Sequence, residues 1–571
     1  MRHLWLAALP LLLVVGAGAA WLLARPPEGR SQGPTPSFPY GMFEDIWLQD
    51  PDSFGATLDD LRARGLDTIL FTNGRVAHED ALLAVADGQQ DVGVLLGPHE
   101  ELLANWYHNA EAPTDLATAR EIIGPLVDGL KDHPSLRGYN VMDDSPSDLA
   151  QKIALAVQVF QERDPARPAL PVIVGAHEAV YRQARPRVLL TYAYPVGATQ
   201  GPCDFHYPGF KGAGASSFVD YVRQLSRYRD ADVPLWLILQ THGELKGFDP
   251  AAAPITLREP SVEEVRLQNW LAVGEGATGI FWFVYSTHPH EWWTGLRDKP
   301  TLYAEVTDLA QRMAKVRATL AALHKTRDLA TVAGGPAYAS TLVSADGQHT
   351  YVVVANQQCS PQDLAVRLPG FQGQLADLES GARYAAGAPI PFRGGDGKLL
   401  EAVGFTASAP PADAAPPANV VANPSFETRG GASPERWQER PAAHWDGATA
   451  HSGSAALRLE GPGDGYTFQA VPLKPATYYS LSYWVKLQGT GGRGVSVRYV
   501  EEAPDEMLLL RGPWTADGAD WQQVTDTFYV PESFGRGRLD LMWDLADGEV
   551  AWIDDVALCE GKGGCEAASA R

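Results

Sequence analysis

Two adjacent carboxylates, Asp143 and Asp144, close the run RGYNVMDDSPSD. Neighbouring like charges disfavour full ionisation, so pairing or burial can keep a proton on one of them for general acid catalysis. A partner carboxylate must then attack or activate water. Glu44 or Asp45 in YGMFEDIW and Glu291 in HPHEWW are the candidates. The competing role for the pair is structural: acidic residues before Pro146 would stabilise a helix start, with Ser145 as N-cap. That role explains one carboxylate better than two. His99, His242, His288 and His290 fall in neighbouring loop-like segments, but their spacing does not demand a zinc site. His242 and His288 suit contacts to ligand hydroxyls instead. Trp282, Trp292 and Trp293 offer aromatic faces, although Trp282 lies within an apolar run and also suits a core. No GxSxG nucleophile motif occurs.

These residues need strand ends to position them. From Tyr40 to about Leu320 short β-rich runs alternate with longer amphipathic segments. The strands read YGMFEDIW, DTILFTN, DVGVLLG, LRGYNVM, LPVIVGA, RVLLTYAYP, VPLWLILQ and ATGIFWFVYS. Eight strands with intervening helices over this length predict a (β/α)8 TIM barrel across 39–325, with reactive groups at the C-terminal strand ends. An open doubly wound sheet is disfavoured, because no Gly-rich phosphate loop follows an early strand. The period then becomes two, and a hairpin around Asp346-Gly347 opens a small β-sandwich over 326–409. A Pro/Ala linker (410–418), a second all-β unit (419–560) and a tail (561–571) follow.

The remaining bounds come from composition. A chain of 571 residues exceeds one core. A net charge of −23 argues against nucleic acid as a partner. Arg2 and His3 precede an apolar run from Leu4 to Ala24, which is an export signal. An uncleaved membrane anchor over 1–24 competes with a cleaved signal peptide, and residues 25–38 form a linker; either way the bulk of the chain is expected outside the cytoplasm. Cys559 and Cys565 are close enough to bridge there, whereas Cys203 and Cys359, in different expected domains, read as separate thiols.

Within 419–560, NPSFE, Trp437, HSGSAALRL, YYSLSYWVK, Trp521 and WIDDVAL occur in an order that resembles the CenC-like carbohydrate-binding modules (families 4, 9, 16 and 22). The resemblance implies a C-terminal jelly-roll β-sandwich and a structural calcium, whose matching positions are Glu427 and one carboxylate of Asp554-Asp555. On strand YYSLSYWVK, alternation puts Leu481, Tyr483 and Val485 on one face and Ser482, Trp484 and Lys486 on the other. Trp484 is then either a sugar-stacking platform or is covered by a loop. The barrel resembles glycoside-hydrolase-like barrels at MDDSP, at Tyr192-Ala193-Tyr194-Pro195 and from PLWLILQTHG through LREPSVEEVRLQNWLAVGEGATGIFWFVYS. There the fourth strand ends in Asp-Glu-Pro with the Glu as acid; here Asp144 stands in its place and Ser145 is inserted. The seventh strand, which carries the second Glu in retaining members, ends in Gln240-Thr241-His242.

The resemblance implies a glycoside hydrolase acting on a polysaccharide, with Asp144 as acid and no catalytic cofactor. Asp143, Glu44 or Glu291 would assist, and Tyr192, Tyr194, Gln240, His242, Trp282, His288, Trp292 and Trp484 would bind sugar. The chain would act as a monomer, held to the membrane by its N-terminal segment. The missing seventh-strand Glu leaves three routes: an inverting enzyme, a substrate-assisted one using the adjacent pair, or a non-catalytic envelope or exopolysaccharide-binding protein.

Overall fold

The structure, a computed structural model, describes residues 38–561 apart from 73, 90, 98–101, 110, 175–176, 208–214, 226–228, 231–232, 245–255, 291, 327, 408–417, 490, 502–507, 512–518 and 532–533. The apolar run at 4–24 and the Pro/Ala linker therefore fall outside the described residues, as do Glu291, His99 and Cys565. Among the described residues no helix is long and apolar enough to cross a membrane.

Eight parallel strands form the first layer: β1 (Tyr40–Asp45), β2 (Thr68–Thr72), β3 (Gly93–Leu96), β4 (Leu136–Met142), β5 (Ala169–Pro171), β6 (Leu189–Ala193), β7 (Leu235–Gln240) and β8 (Ala277–Phe283). Their order is β5-β4-β3-β2-β1-β8-β7-β6. The ring closes between β5 and β6 through the parallel bridge Val172–Leu190, beside which Ile173 N donates to Leu190 O at 2.8 Å. This is the (β/α)8 barrel. Its strands are apolar on both faces because each is covered twice. Phe43, Leu70, Leu95, Leu170, Leu190, Trp236 and Phe281 fill the interior. Tyr40, Met42, Ile69 and Trp282 join the larger core beneath the helices.

Helix starts follow their local chemistry. Pro51–Ala63 begins with Pro at its first turn and Asp50 accepting from Asp52 N. Val262–Gly274 carries a capping box between Ser261 and Glu264. Glu264 also pairs with Arg258 at 2.6 Å, so it is buried structure and not a solvated helix face. The fourth crossover departs from expectation: Ser145 does not cap a helix. Its Oγ donates back to Met142 O, a 3-10 turn occupies Ser147–Leu149, and the α-helix begins at Ala150. Asp143 and Asp144 are thus not helix-capping residues.

Two antiparallel sheets of three and six strands follow, the larger edged by Leu323–Lys325. The predicted hairpin is present, with Ala337–Ser344 pairing Thr350–Asn356 around Gly347 at φ 69°. The C-terminal unit packs a five-stranded sheet on a four-stranded one, both antiparallel, as a jelly roll. Leu481, Tyr483 and Val485 face its core.

Two features join these parts. Cys203, after β6, is disulfide-bonded to Cys359 in the small sandwich, with Cα atoms 5.6 Å apart. The expectation of separate thiols fails because folding brings together residues 156 apart in sequence. Arg223, on helix Phe218–Leu225, lies at a buried junction of all three units. It pairs with Glu275 of the barrel at 3.0 Å and Asp328 at 3.3 Å, and donates to the Tyr529 hydroxyl of the jelly roll at 2.6 Å. Gln224 Nε2 donates to Tyr529 O at 2.6 Å, and Tyr478 Oη to Arg223 O at 3.0 Å.

Candidate active site

The C-terminal strand ends gather a carboxylate cluster against an aromatic wall. Asp143 and Asp144 follow β4. Thr72 Oγ1, at the end of β2, donates to Asp143 Oδ2 at 3.4 Å, and Asp144 N donates to Asp143 Oδ1 at 3.1 Å. Tyr192, from β6, hydrogen-bonds to Asp144, and His177 adds a favourable charge interaction with it. Asp144 has φ 47°, in the sparsely populated left-handed region; such outliers cost about 1–3 kcal/mol and persist where their surroundings enforce them. Two bonds of Ser145 do the enforcing, its N donating to Val172 O and its Oγ to Met142 O.

Burial, the adjacent Asp144 and the more distant Asp45 raise the pKa of Asp143 to about 7. Burial raises that of Asp144 too, while Tyr192 and His177 favour its charged form. Asp144 is exposed at the rim and Asp143 half-buried, so water opposes the shift more strongly at Asp144. Both carboxyls are thus held above the ordinary carboxylate range, so the pair retains a proton toward neutral pH.

The third carboxylate is Asp45, not Glu44. Phe43 belongs to the barrel interior and Met42 to the outer core, so strand alternation sends Asp45 to the lumen and Glu44 to the helix side. Asp45 is close enough to act electrostatically on both Asp143 and His288. Glu44 is fully buried behind it. Its Oε1 accepts from Asp45 N at 2.9 Å and its Oε2 from Gln49 Nε2 at 3.1 Å, and Ser286 completes the shell. Burial pushes Glu44 up to about 8. It buttresses the strand end and does not face the cleft.

The wall runs across β6, β7 and β8. Tyr192 stacks on Tyr194 (4.8 Å, 14°), and Tyr194 meets His242 edge-on at 4.9 Å. Phe283 lies 4.7 Å from His242 and 5.2 Å from Trp293. His288 then stacks on Trp292 (4.1 Å, 8°) and packs on Trp293 at 4.9 Å. Burial and the Lys299 charge lower His242 to about 3, so it is a neutral ring. Two expected sugar contacts are structural instead. Trp282 is fully buried under the helices, edge-on to Tyr40. Gln240 spends its amide on backbone, accepting from Val196 N and donating to Val196 O, His242 O and Arg258 O.

In the jelly roll, Trp484 points outward as alternation requires, but His451 stacks on it (3.7 Å, 14°) and Trp521 meets His451 edge-on. One indole face is therefore covered by a loop. Glu427 accepts from Ser454 N, Ser454 Oγ and Ala455 N. Asp554 Oδ2 accepts from His451 N and Ser452 N. Protein donors already satisfy both carboxylates, and among the described residues no three His, Cys, Asp or Glu side chains are grouped to hold a metal.

No family model and no curated protein matches the chain. Solved structures do resemble it. An isomalto-dextranase from Arthrobacter globiformis T6, complexed with panose, is 11% identical over 91% of this chain and 97% of its own, with a TM-score of 0.38. A glycoside hydrolase family 5 protein from Bacteroides vulgatus is 12% identical over 64% of this chain and 89% of its own, with a TM-score of 0.43. A family 16 carbohydrate-binding module is 23% identical over 25% of this chain and 100% of its own, with a TM-score of 0.21.

Sequence reasoning weighed Asp45 beside Glu44 but did not choose it, and it missed the supporting roles of Thr72 and His177. The parity of β1 was the available signal: Met42 and Glu44 alternate with Phe43 and Asp45. Only the barrel interior shows which pair turns inward.

Proposed function

We propose that the protein is an extracytoplasmic glycoside hydrolase that cleaves O-glycosidic bonds of a polysaccharide. The observation that carries this reading is the convergence of Asp45, Asp143 and Asp144 at the barrel mouth beside an aromatic wall. Glycoside hydrolysis needs a proton for the leaving oxygen and a carboxylate for water or for the anomeric carbon. The Asp143–Asp144 pair delivers the proton. Asp143, the more buried of the two, gives its proton to the leaving oxygen, and Asp144, hydrogen-bonded by Tyr192, orients the sugar and offsets the positive charge that develops at the anomeric carbon. Asp45, reaching the mouth from β1, accepts the proton of the attacking water. Tyr194, His242 and the Trp292–Trp293 loop line the cleft against which the sugar lies.

Export is supported by the basic start and apolar run at the N-terminus and by the Cys203–Cys359 bond, since disulfides persist in oxidising compartments. The jelly roll, docked on the barrel, would add a second glycan contact, and effective concentration rises without any new catalytic group. Incubating the purified ectodomain with a panel of polysaccharides and measuring new reducing ends tests the reading. Release from at least one neutral polysaccharide is expected, and none from any would count against hydrolysis.

A further inference from the structure

The turn after β1 carries a feature that the catalytic reading does not use. Trp47 is 44% exposed, the most exposed large hydrophobic side chain among the described residues. It stands two residues beyond Asp45, at the C-terminal mouth of the barrel. An isolated exposed apolar residue needs no explanation, but this one is held in place. The 3-10 turn Ile46–Leu48 is capped by Asp45, whose Oδ1 accepts from Trp47 N at 3.2 Å. His78, on the next βα unit, stacks on the indole at 5.6 Å and 17°. The His78 ring is itself pinned, with Nε2 3.0 Å from Gln49 O and 3.4 Å from Ile46 O. The Arg75 guanidinium lies 5.0 Å from the ring centroid. Three groups from two βα units thus fix an aromatic surface that remains in water.

We propose that Trp47 is a sugar-stacking platform, a binding subsite for one pyranose ring of the polysaccharide beside the Asp45 side of the cleft. The indole surface left open to water covers the apolar C–H face of the ring, with the Arg75 guanidinium lying over the indole and Asp45 two residues back in the chain. Holding the ring rigidly in the free protein removes the ordering cost that a mobile aromatic would incur on binding. The chemistry fits a neutral saccharide. It does not fit a peptide helix, which needs a continuous apolar groove, or nucleic acid, given the net charge of −23.

The inference rests on the proposed function, and the test separates the two. Isothermal titration of the full ectodomain with cello-, malto-, isomalto- and galacto-oligosaccharides of two to six units compares wild type, Trp47→Ala and Trp47→Phe. Trp484→Ala runs in parallel to report any contribution from the jelly roll. For the series that wild type binds, Trp47→Ala should weaken affinity roughly tenfold, and Trp47→Phe, which keeps an aromatic face, should recover most of it. Melting temperatures of both variants should match wild type. Wild-type binding that is unchanged in Trp47→Ala overturns the platform alone. Equal losses in Trp47→Ala and Trp47→Phe overturn stacking as the cause. No binding by wild type to any saccharide overturns the platform and the proposed function together.

Discussion

Replacing Arg223 with Ala should undock the jelly roll from the barrel. The guanidinium is buried, and it meets Glu275 (3.0 Å), Asp328 (3.3 Å) and the Tyr529 hydroxyl (2.6 Å), with its carbon 5.3 Å from the Tyr529 ring centroid. Breaking a buried ion pair by removing one partner costs about 3–5 kcal/mol, because the remaining charge is stranded. Glu275 would not be wholly stranded, since Lys325 Nζ lies 2.7 Å from it and Tyr338 Oη donates to it at 2.8 Å. Glu275 and Asp328 lie outside the jelly roll, so losing those pairs lowers overall stability, whereas docking loses the charged bond that crosses to the Tyr529 hydroxyl, worth about 1.5–3 kcal/mol or roughly 10- to 150-fold in the docking equilibrium. The assay is to nick the Pro/Ala linker at 410–418 and run the products on size exclusion. Wild-type fragments should co-migrate and Arg223→Ala fragments should separate. Arg223→Lys should fall between, because an ammonium cannot reproduce the forked contacts. Nicked fragments of wild type and Arg223→Ala that co-migrate alike, with equal unfolding midpoints, would refute the junction.

Three further outcomes are expected. Removing the Cys203–Cys359 bond by Cys→Ser at both positions should lower stability by about 5 kcal/mol in the loop-entropy model, read as a lower urea midpoint under oxidising conditions. Glu44 gives a pH signature. Its folded pKa of about 8 lies above the ordinary carboxyl value, so the folded state binds the extra proton and stability falls as pH rises from about 4.5 to 8. Glu44→Gln, neutral throughout, should flatten that slope in melting temperature, and an unchanged slope would remove Glu44 as its source. Chelation with EDTA should leave the melting of the jelly roll unchanged, because Ser454, Ala455, His451 and Ser452 already satisfy Glu427 and Asp554; a clear drop would restore a calcium site.

All eight barrel strands were legible, because each is covered on both faces and so reads as a continuous apolar run between polar helices. The same property hid the site. In a strand such as β1 or β8 both parities are apolar, so nothing local distinguishes Asp45 from Glu44, or the outer Trp282 from the inner Phe281 and Phe283. Jelly-roll strands cover one face only, so alternation set Leu481, Tyr483 and Val485 apart from Trp484, and the packed core shows that the first group turns inward. The stacking of His451 over Trp484 was not legible, since a loop contact has no period. Pro146 was a fair helix-start signal, but the buried Ser145 and a 3-10 turn postpone the helix to Ala150. The Cys203–Cys359 bond and the Arg223 junction are products of domain docking, which leaves no mark on nearby sequence.

The central claim is that the Asp143–Asp144 pair supplies the catalytic proton. The most direct measurement is the pH profile of kcat/KM on the polysaccharide that wild type cleaves, compared with Asp143→Asn and Asp144→Asn. General acid assistance is worth about 100- to 10,000-fold. Asp143→Asn should lose activity on that scale together with the limb near pH 7, and should lose much less on an aryl glycoside whose leaving group needs no proton. Asp144→Asn should also be impaired, with its profile shifted to lower pH, because removing the neighbouring charge lets Asp143 ionise earlier. Full wild-type activity in both variants, with the limb near pH 7 unmoved, would contradict the account.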